Sequence, residues 1–108
     1  MNHHSLPVAV IGAGPVGLAA AAHLLQRDLT PVVFEAGSSA GAGMLRWSHV
    51  RMFSPWAYAL DAAAAALLVR HGWQAPDLEA FPTGRDVVDR YLQPLAATPE
   101  IAATVRLN

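Results

Sequence analysis

The chain has 108 residues, 54% hydrophobic and only 14% charged, with a net charge of −1 at pH 7 and no cysteine. Its seven basic residues, all Arg, form no cluster and so exclude a nucleic-acid partner, which needs a concentrated positive face. The lack of cysteine excludes a disulfide framework, a thiolate zinc site and a Cys-x-x-Cys redox centre, and makes the cytoplasm the expected compartment. Such a length is one small domain or part of a larger one. A charged fraction well under the ~25% of an ordinary soluble domain suits a segment that more protein covers.

Residues 1–6 read as a disordered arm, with His3 and His4 solvated, because two adjacent imidazoles with no further ligand make a poor metal site. Val8 to Leu25 is uncharged and raises the question of a signal peptide or membrane span. Residues 1–7 carry no Lys or Arg, however, and Gly12, Gly14, Pro15 and Gly17 break the run. The pieces are a strand over Pro7–Ile11, Val- and Ile-rich as in a buried parallel sheet, and a helix over residues 14–27. On that helix Val16, Ala20, His23, Leu24 and Arg27 fall at helical spacing. Asp28 to Pro31 is a return turn into a second strand, Val32–Phe34, with Glu35 at its carboxyl end.

Residues 36–56 read as a long loop, a length that points to a binding role or disorder. Asp61 caps a helix that runs to about His71 and is ended by Gly72. After a loop over residues 73–82, Thr83 and Asp86 fit a capping box. The helix they open runs to about Ala97, strained or ended near Pro94, and Thr104–Leu107 starts a third strand. The fold class expected is α/β: a partial Rossmann-type βαβ unit, its crossover right-handed, with two further helices.

Gly12-Ala13-Gly14-Pro15-Val16-Gly17 is a G-x-G-x-x-G that leaves a strand and opens a helix. Gly12 permits the tight turn, Gly14 lets a pyrophosphate approach the backbone, and Gly17 lets helix and sheet pack closely. The free N–H groups and positive dipole end of the helix face the diphosphate. Glu35 lies 18 residues after Gly17, placed to accept hydrogen bonds from the adenosine ribose and to repel a 2′-phosphate. The motif alone does not separate FAD from NAD, but its position at the start of the chain favours FAD.

Residues 8–36, from Val-Ala-Val-Ile-Gly-Ala-Gly-Pro-Val-Gly-Leu through Phe-Glu-Ala, resemble the opening of the two-dinucleotide-domain flavoproteins. Phe81-Pro82, Val87-Val88, Tyr91-Leu92 and Val105-Arg106-Leu107-Asn108 are similar to the segment after the first βαβ unit in flavin-containing monooxygenases. The stretch Trp47–Trp56 resembles a subgroup of bacterial flavoproteins of unassigned substrate. The chain departs from the monooxygenases after Glu35, with Gly41-Ala42-Gly43-Met44-Leu45-Arg46-Trp47 where they carry Gly-Gly-x-Trp. The resemblance implies FAD as cofactor, NAD(P)H as co-substrate and a small-molecule substrate. It also implies that residues 7–108 are a truncated N-terminal part of an FAD-binding domain, completed by a C-terminal domain or by a homo-oligomer.

The expected cofactor contacts are Gly12, Ala13, Gly14, Pro15, Val16, Gly17, Glu35, Ala36, Arg46 and Arg51. Ser54 and His49 are weaker loop candidates, and Trp47 and Trp56 either shield the flavin or belong to the core. His23 and His71 read as helix residues without catalytic duty, and Asp86 and Arg90 as an i,i+4 pair on a solvated face. No nucleophile–base pair and no metal cluster stands out, as expected where a flavin does the chemistry. The competing reading is a non-catalytic dinucleotide-binding fragment, or a subunit completed by another chain.

Overall fold

The computed structural model of the protein describes residues 6–108. The arm expected over residues 1–6, with His3 and His4, therefore lies outside the described residues except for the exposed Leu6. Three parallel strands, β1 (Val8–Ile11), β2 (Pro31–Glu35) and β3 (Val105–Leu107), stand in the order β1-β2-β3. Helix α1 (Pro15–Gln26) crosses from β1 to β2, so the expected βαβ unit is present.

Val10 and Val33 share a register row, and Ile11, Phe34 and Arg106 share the next. Successive strand residues alternate between the two faces of a sheet. The face bearing Val10 and Val33 is covered, leaving them 8% and 0% exposed. The opposite face is open: Ile11 is 82% exposed and Phe34 47%. Strands apolar on both sides are the mark of a sheet covered on both faces; among the described residues only one face is covered.

Helix α1 buries Leu18, Ala21 and Ala22, a step around from the spacing that includes Val16, which is exposed. The loop expected over residues 36–56 holds one short helix, α2 (Ala42–Leu45), and a second, α3 (Trp56–Ala59), begins at its end. Helix α4 (Ala62–Arg70) starts where Asp61 accepts a hydrogen bond from the Ala64 N–H at 2.9 Å, and its C-cap is His71. The capping box also forms, because the Thr83 hydroxyl accepts from the Asp86 N–H and the Asp86 carboxylate from the Thr83 N–H. Asp86 is thereby committed to the cap. The i,i+4 pair on this helix is Arg85–Asp89 at 3.1 Å, while Arg90 lies over the Trp56 ring.

Pro94 does not end the helix. Helical backbone runs from α5 (Gly84–Val87) through a π-turn (Val88–Leu92) into α6 (Gln93–Ala97), with the Gln93 N–H donating to the Val88 carbonyl. Proline has no N–H to offer the carbonyl four residues back. That carbonyl belongs to Arg90 and accepts instead from the Trp73 indole N–H at 2.8 Å. A further helix that the sequence reading lacked, α7 (Pro99–Ala102), precedes β3. The core formed by these helices on the covered sheet face centres on Trp56, Tyr91, Leu68, Leu92, Leu95 and Ile101.

Asp61 ties three elements together: it caps α4, meets His23 of α1 at 2.9 Å, and donates its N–H to the buried Tyr91 hydroxyl. Burial opposes ionisation of its carboxyl, but the Ala64 N–H, the His23 ring and the Ala63 N–H together hold it below its ordinary value. A carboxyl depressed on folding stabilises the protein above its unfolded pKa of about 3.9, and that stabilisation fades as pH falls through the folded value. Asp61→Ala should therefore cost about 0.5–2 kcal/mol at neutral pH. In urea melts the gap from the parent protein should narrow below about pH 4; equal midpoints at pH 7 would refute the role. Gly17→Ala should cost about 1–3 kcal/mol in the same melts, because its Cβ would lie 1.8 Å from the Gly12 carbonyl oxygen.

Candidate functional site

The turn between β1 and α1 follows from its glycines. Gly12 adopts φ +96°, a left-handed region that side chains resist, and hands its N–H to the Phe34 carbonyl at 2.7 Å. Gly17 presses the helix onto that turn, with the Val10 side chain beside it. Gly14 is the N-cap of α1, extended and without a capping side chain, and its carbonyl accepts from the Leu18 N–H. The glycines differ in what surrounds them. A Cβ at Gly17 would collide with backbone, whereas one at Gly14 would meet nothing within 4 Å. The protein leaves space in front of Gly14, at the helix end where an anion is favoured.

Glu35 turns back toward this turn from the end of β2. One carboxylate oxygen accepts from the Ala13 N–H at 2.8 Å and the other from the Gly37 N–H at 2.7 Å. A carboxylate offers about four acceptor positions, so capacity remains for hydroxyls on the solvent side. Ala13 is fully buried, its N–H held by Glu35 and its carbonyl accepting from the Gly41 N–H at 2.9 Å. It is thus held by protein on both sides. Pro15 opens α1 and Val16 is exposed beside it.

A cleft of about 370 Å³ opens at the carboxyl ends of the strands, lined by Ile11, Phe34, Glu35, Ala36 and Arg106 together with Asn108. Ligands of open α/β sheets bind outside the carboxyl ends of strands. Arg106 and Asn108 are not among the expected cofactor contacts; their place at the carboxyl end of the third strand, one within it and one just after it, is the available signal. Asn108 also fixes the loop, donating its N–H to the Gly37 carbonyl. Another hollow, of about 280 Å³ between α1 and α4, is walled mainly by alanine and leucine with Arg70 and Glu100, away from the strand ends.

The arginine candidates part company. Arg46 is exposed at the end of α2. Arg51 donates to the Phe81 carbonyl and its backbone bridges Thr83, so it joins two loops. Trp56 is core, 1% exposed, and is not available to shield a ligand. Trp47 packs against Gly84 and is partly exposed, while Ser54 is partly buried and His49 exposed. His23 and His71 are paired with Asp61 and Glu100, respectively. Among the described residues no group of acidic residues and histidines is arranged to hold a metal ion, and no helix is long and apolar enough to cross a membrane.

The geometry has counterparts among solved structures. Oxidized steroid monooxygenase bound to NADP is similar over 94% of this chain and 19% of its own, at 22% identity and a TM-score of 0.69. OTEMO in complex with FAD and NADP is similar over 99% of this chain and 20% of its own, at 22% identity and a TM-score of 0.67. S-allyl-L-cysteine S-oxygenase from Allium sativum is similar over 94% of this chain and 27% of its own, at 22% identity and a TM-score of 0.61. The chain thus spans about a fifth to a quarter of these enzymes, and at such identity the likeness speaks for the fold. No curated protein sequence matches. A family model described as FAD dependent oxidoreductase matches residues 7–99, and the chain belongs to that family.

Proposed function

We propose that residues 7–108 are the N-terminal part of the FAD-binding domain of a longer, NAD(P)H-dependent flavin monooxygenase. The observation that carries this reading is the open space in front of Gly14 at the α1 N-terminus, with a carboxylate at the end of the neighbouring strand. Gly12, Gly14 and Val16 frame the diphosphate of FAD, while Glu35 and Ala36 take the adenosine ribose in the cleft that Arg106 and Asn108 close. Arg46, exposed at the end of α2, supplies a positive charge toward the diphosphate, and Arg51 acts indirectly by fixing its loop to Phe81. Bound FAD would supply the redox chemistry, while these residues hold and orient it. The Glu35 carboxylate disfavours a 2′-phosphate, so the nicotinamide cofactor binds elsewhere in the longer protein. The open sheet face around Ile11 and Phe34 is covered by the rest of that polypeptide, or by another subunit in the competing arrangement. A small-molecule substrate and a cytoplasmic setting go with this reading.

Gly14→Val in the full-length protein should abolish FAD retention with little loss of folding stability, since the added Cβ meets no protein atom within 4 Å and enters the ligand's space. Purified variant that stays yellow with parental flavin content would place the diphosphate elsewhere. Glu35→Ala should weaken FAD binding by about 1.5–3 kcal/mol, roughly 10–100-fold. Flavin-fluorescence quenching on titration of apoprotein reads it, and an unchanged affinity would remove the ribose from this carboxylate. The variant should also melt at a lower temperature, because the Ala13 and Gly37 N–H groups lose their acceptor.

A further inference from the structure

Gln93 lies 53 residues from Ala40 in sequence, yet its side-chain Nε2 donates to the Ala40 carbonyl at 2.9 Å. That carbonyl and the Gly41 N–H are the two ends of one peptide unit. The Gly41 N–H in turn donates to the Ala13 carbonyl at 2.9 Å. The Ala13 carbonyl shares its own peptide unit with the Gly14 N–H. Among the described residues no peptide bond is cis, and in a trans peptide the carbonyl and the N–H point in opposite directions. Two peptide planes are therefore linked in series. An anchor at Gln93 turns the first, the first turns the second, and the second aims the Gly14 N–H away from Gly41.

The surroundings leave this relay little freedom. Gly41 has φ +76°, and a Cβ there would stand 3.0 Å from Val88 and 3.2 Å from Leu92, so the loop rests directly on the π-turn. Ala40 is buried. The π-turn widens the helix just before Gln93; each residue added to a helix rotates the later residues by roughly 100° about its axis. Without it, Gln93 would face another direction. Such turns are rare and recur at functional sites, and here the irregularity aims one amide at the loop behind the glycine turn.

We propose that Gln93 is a positioning residue for the nucleotide site, acting through the Ala40–Gly41 and Ala13–Gly14 peptides to fix the N–H that Gly14 presents to a diphosphate. This rests on the reading of the glycine turn given above. The proposal makes a distinction that simple structural support would not. Loss of the Gln93 donor should weaken ligands that carry a diphosphate and spare those that lack one, because the adenosine contacts at Glu35 do not pass through this relay.

The test is calorimetric titration of the full-length apoprotein with ADP and, separately, with adenosine. Gln93→Met, close in shape but without a donor, should bind ADP about 5–10-fold more weakly while adenosine affinity stays within about twofold. Gln93→Lys, which keeps a donor of similar reach, should retain ADP affinity within about twofold of the parent. Should the Met variant fail to fold, Gln93→Leu, also neutral and without a donor, gives the same contrast against the parent. Equal losses for ADP and adenosine, or none for either, would overturn the proposal. A parent protein that binds neither ADP nor FAD would instead sink the reading of the glycine turn, and this inference with it.

Discussion

The site depends on one close approach. At Gly17 the backbone of α1 lies so near the Gly12 carbonyl that no Cβ fits between them. Because the helix is that close, its N-terminus stands directly over the end of β1, and the space in front of Gly14 borders both. Glu35 reaches the same turn from β2, so strand, helix and neighbouring strand meet within one small volume. A larger residue at Gly17 would push the helix outward and carry the N-terminal amides away from the strand ends. The positive end of the helix dipole acts mainly within the first turn, so its value to an anion depends on this separation.

Around that contact the chain arranges loops in successive layers. Glu35 holds Gly37, Asn108 holds Gly37 from the other side, Gly41 holds Ala13, and Gln93 holds Ala40. Each of these bonds ends on a backbone group of the glycine turn or of the loop behind it. Backbone bonds are indifferent to side-chain identity at the receiving position, which lets a loop of Gly, Ala and Ser hold its shape without packing bulk. Local rigidity of this kind reduces the entropy lost when a ligand docks. It also explains why so small a stretch of sequence needs partners as distant as residues 93 and 108.

How much of this was legible depends on the range of the forces involved. The glycine turn, α1 and β2 were readable because turn, helix start and strand are specified within a few residues. The Asp61 cap and the Thr83–Asp86 box were readable for the same reason, since capping is local chemistry. Helix α7 was missed although Thr98, Pro99 and Glu100 form a local helix-start signature. The π-turn was not readable. Its tolerance of Pro94 depends on Trp73, 17 residues before Arg90, arriving to satisfy the Arg90 carbonyl. Glu35 was placed correctly at its strand end, but its bonds to Ala13 and Gly37 emerge only once the strand and turn are assembled. The bond from Arg51 to the Phe81 carbonyl, 30 residues on, likewise depends on two loops meeting and has no local signal.

The order of strands has a consequence for synthesis. β2 is the middle strand, and its second neighbour begins at Val105, 70 positions after Glu35. At ribosomal rates of ~5–20 residues per second, β2 waits roughly 4–14 s with one edge bare. An unpaired apolar edge such as Val-Val-Phe is a template for unwanted pairing with other nascent chains. Pro31 and Glu35 bracket that segment, the first lacking a ladder donor and the second carrying charge, as gatekeepers flanking an unavoidable apolar strand. The carboxylate that braces the finished turn thus guards its own strand while the chain is still being made.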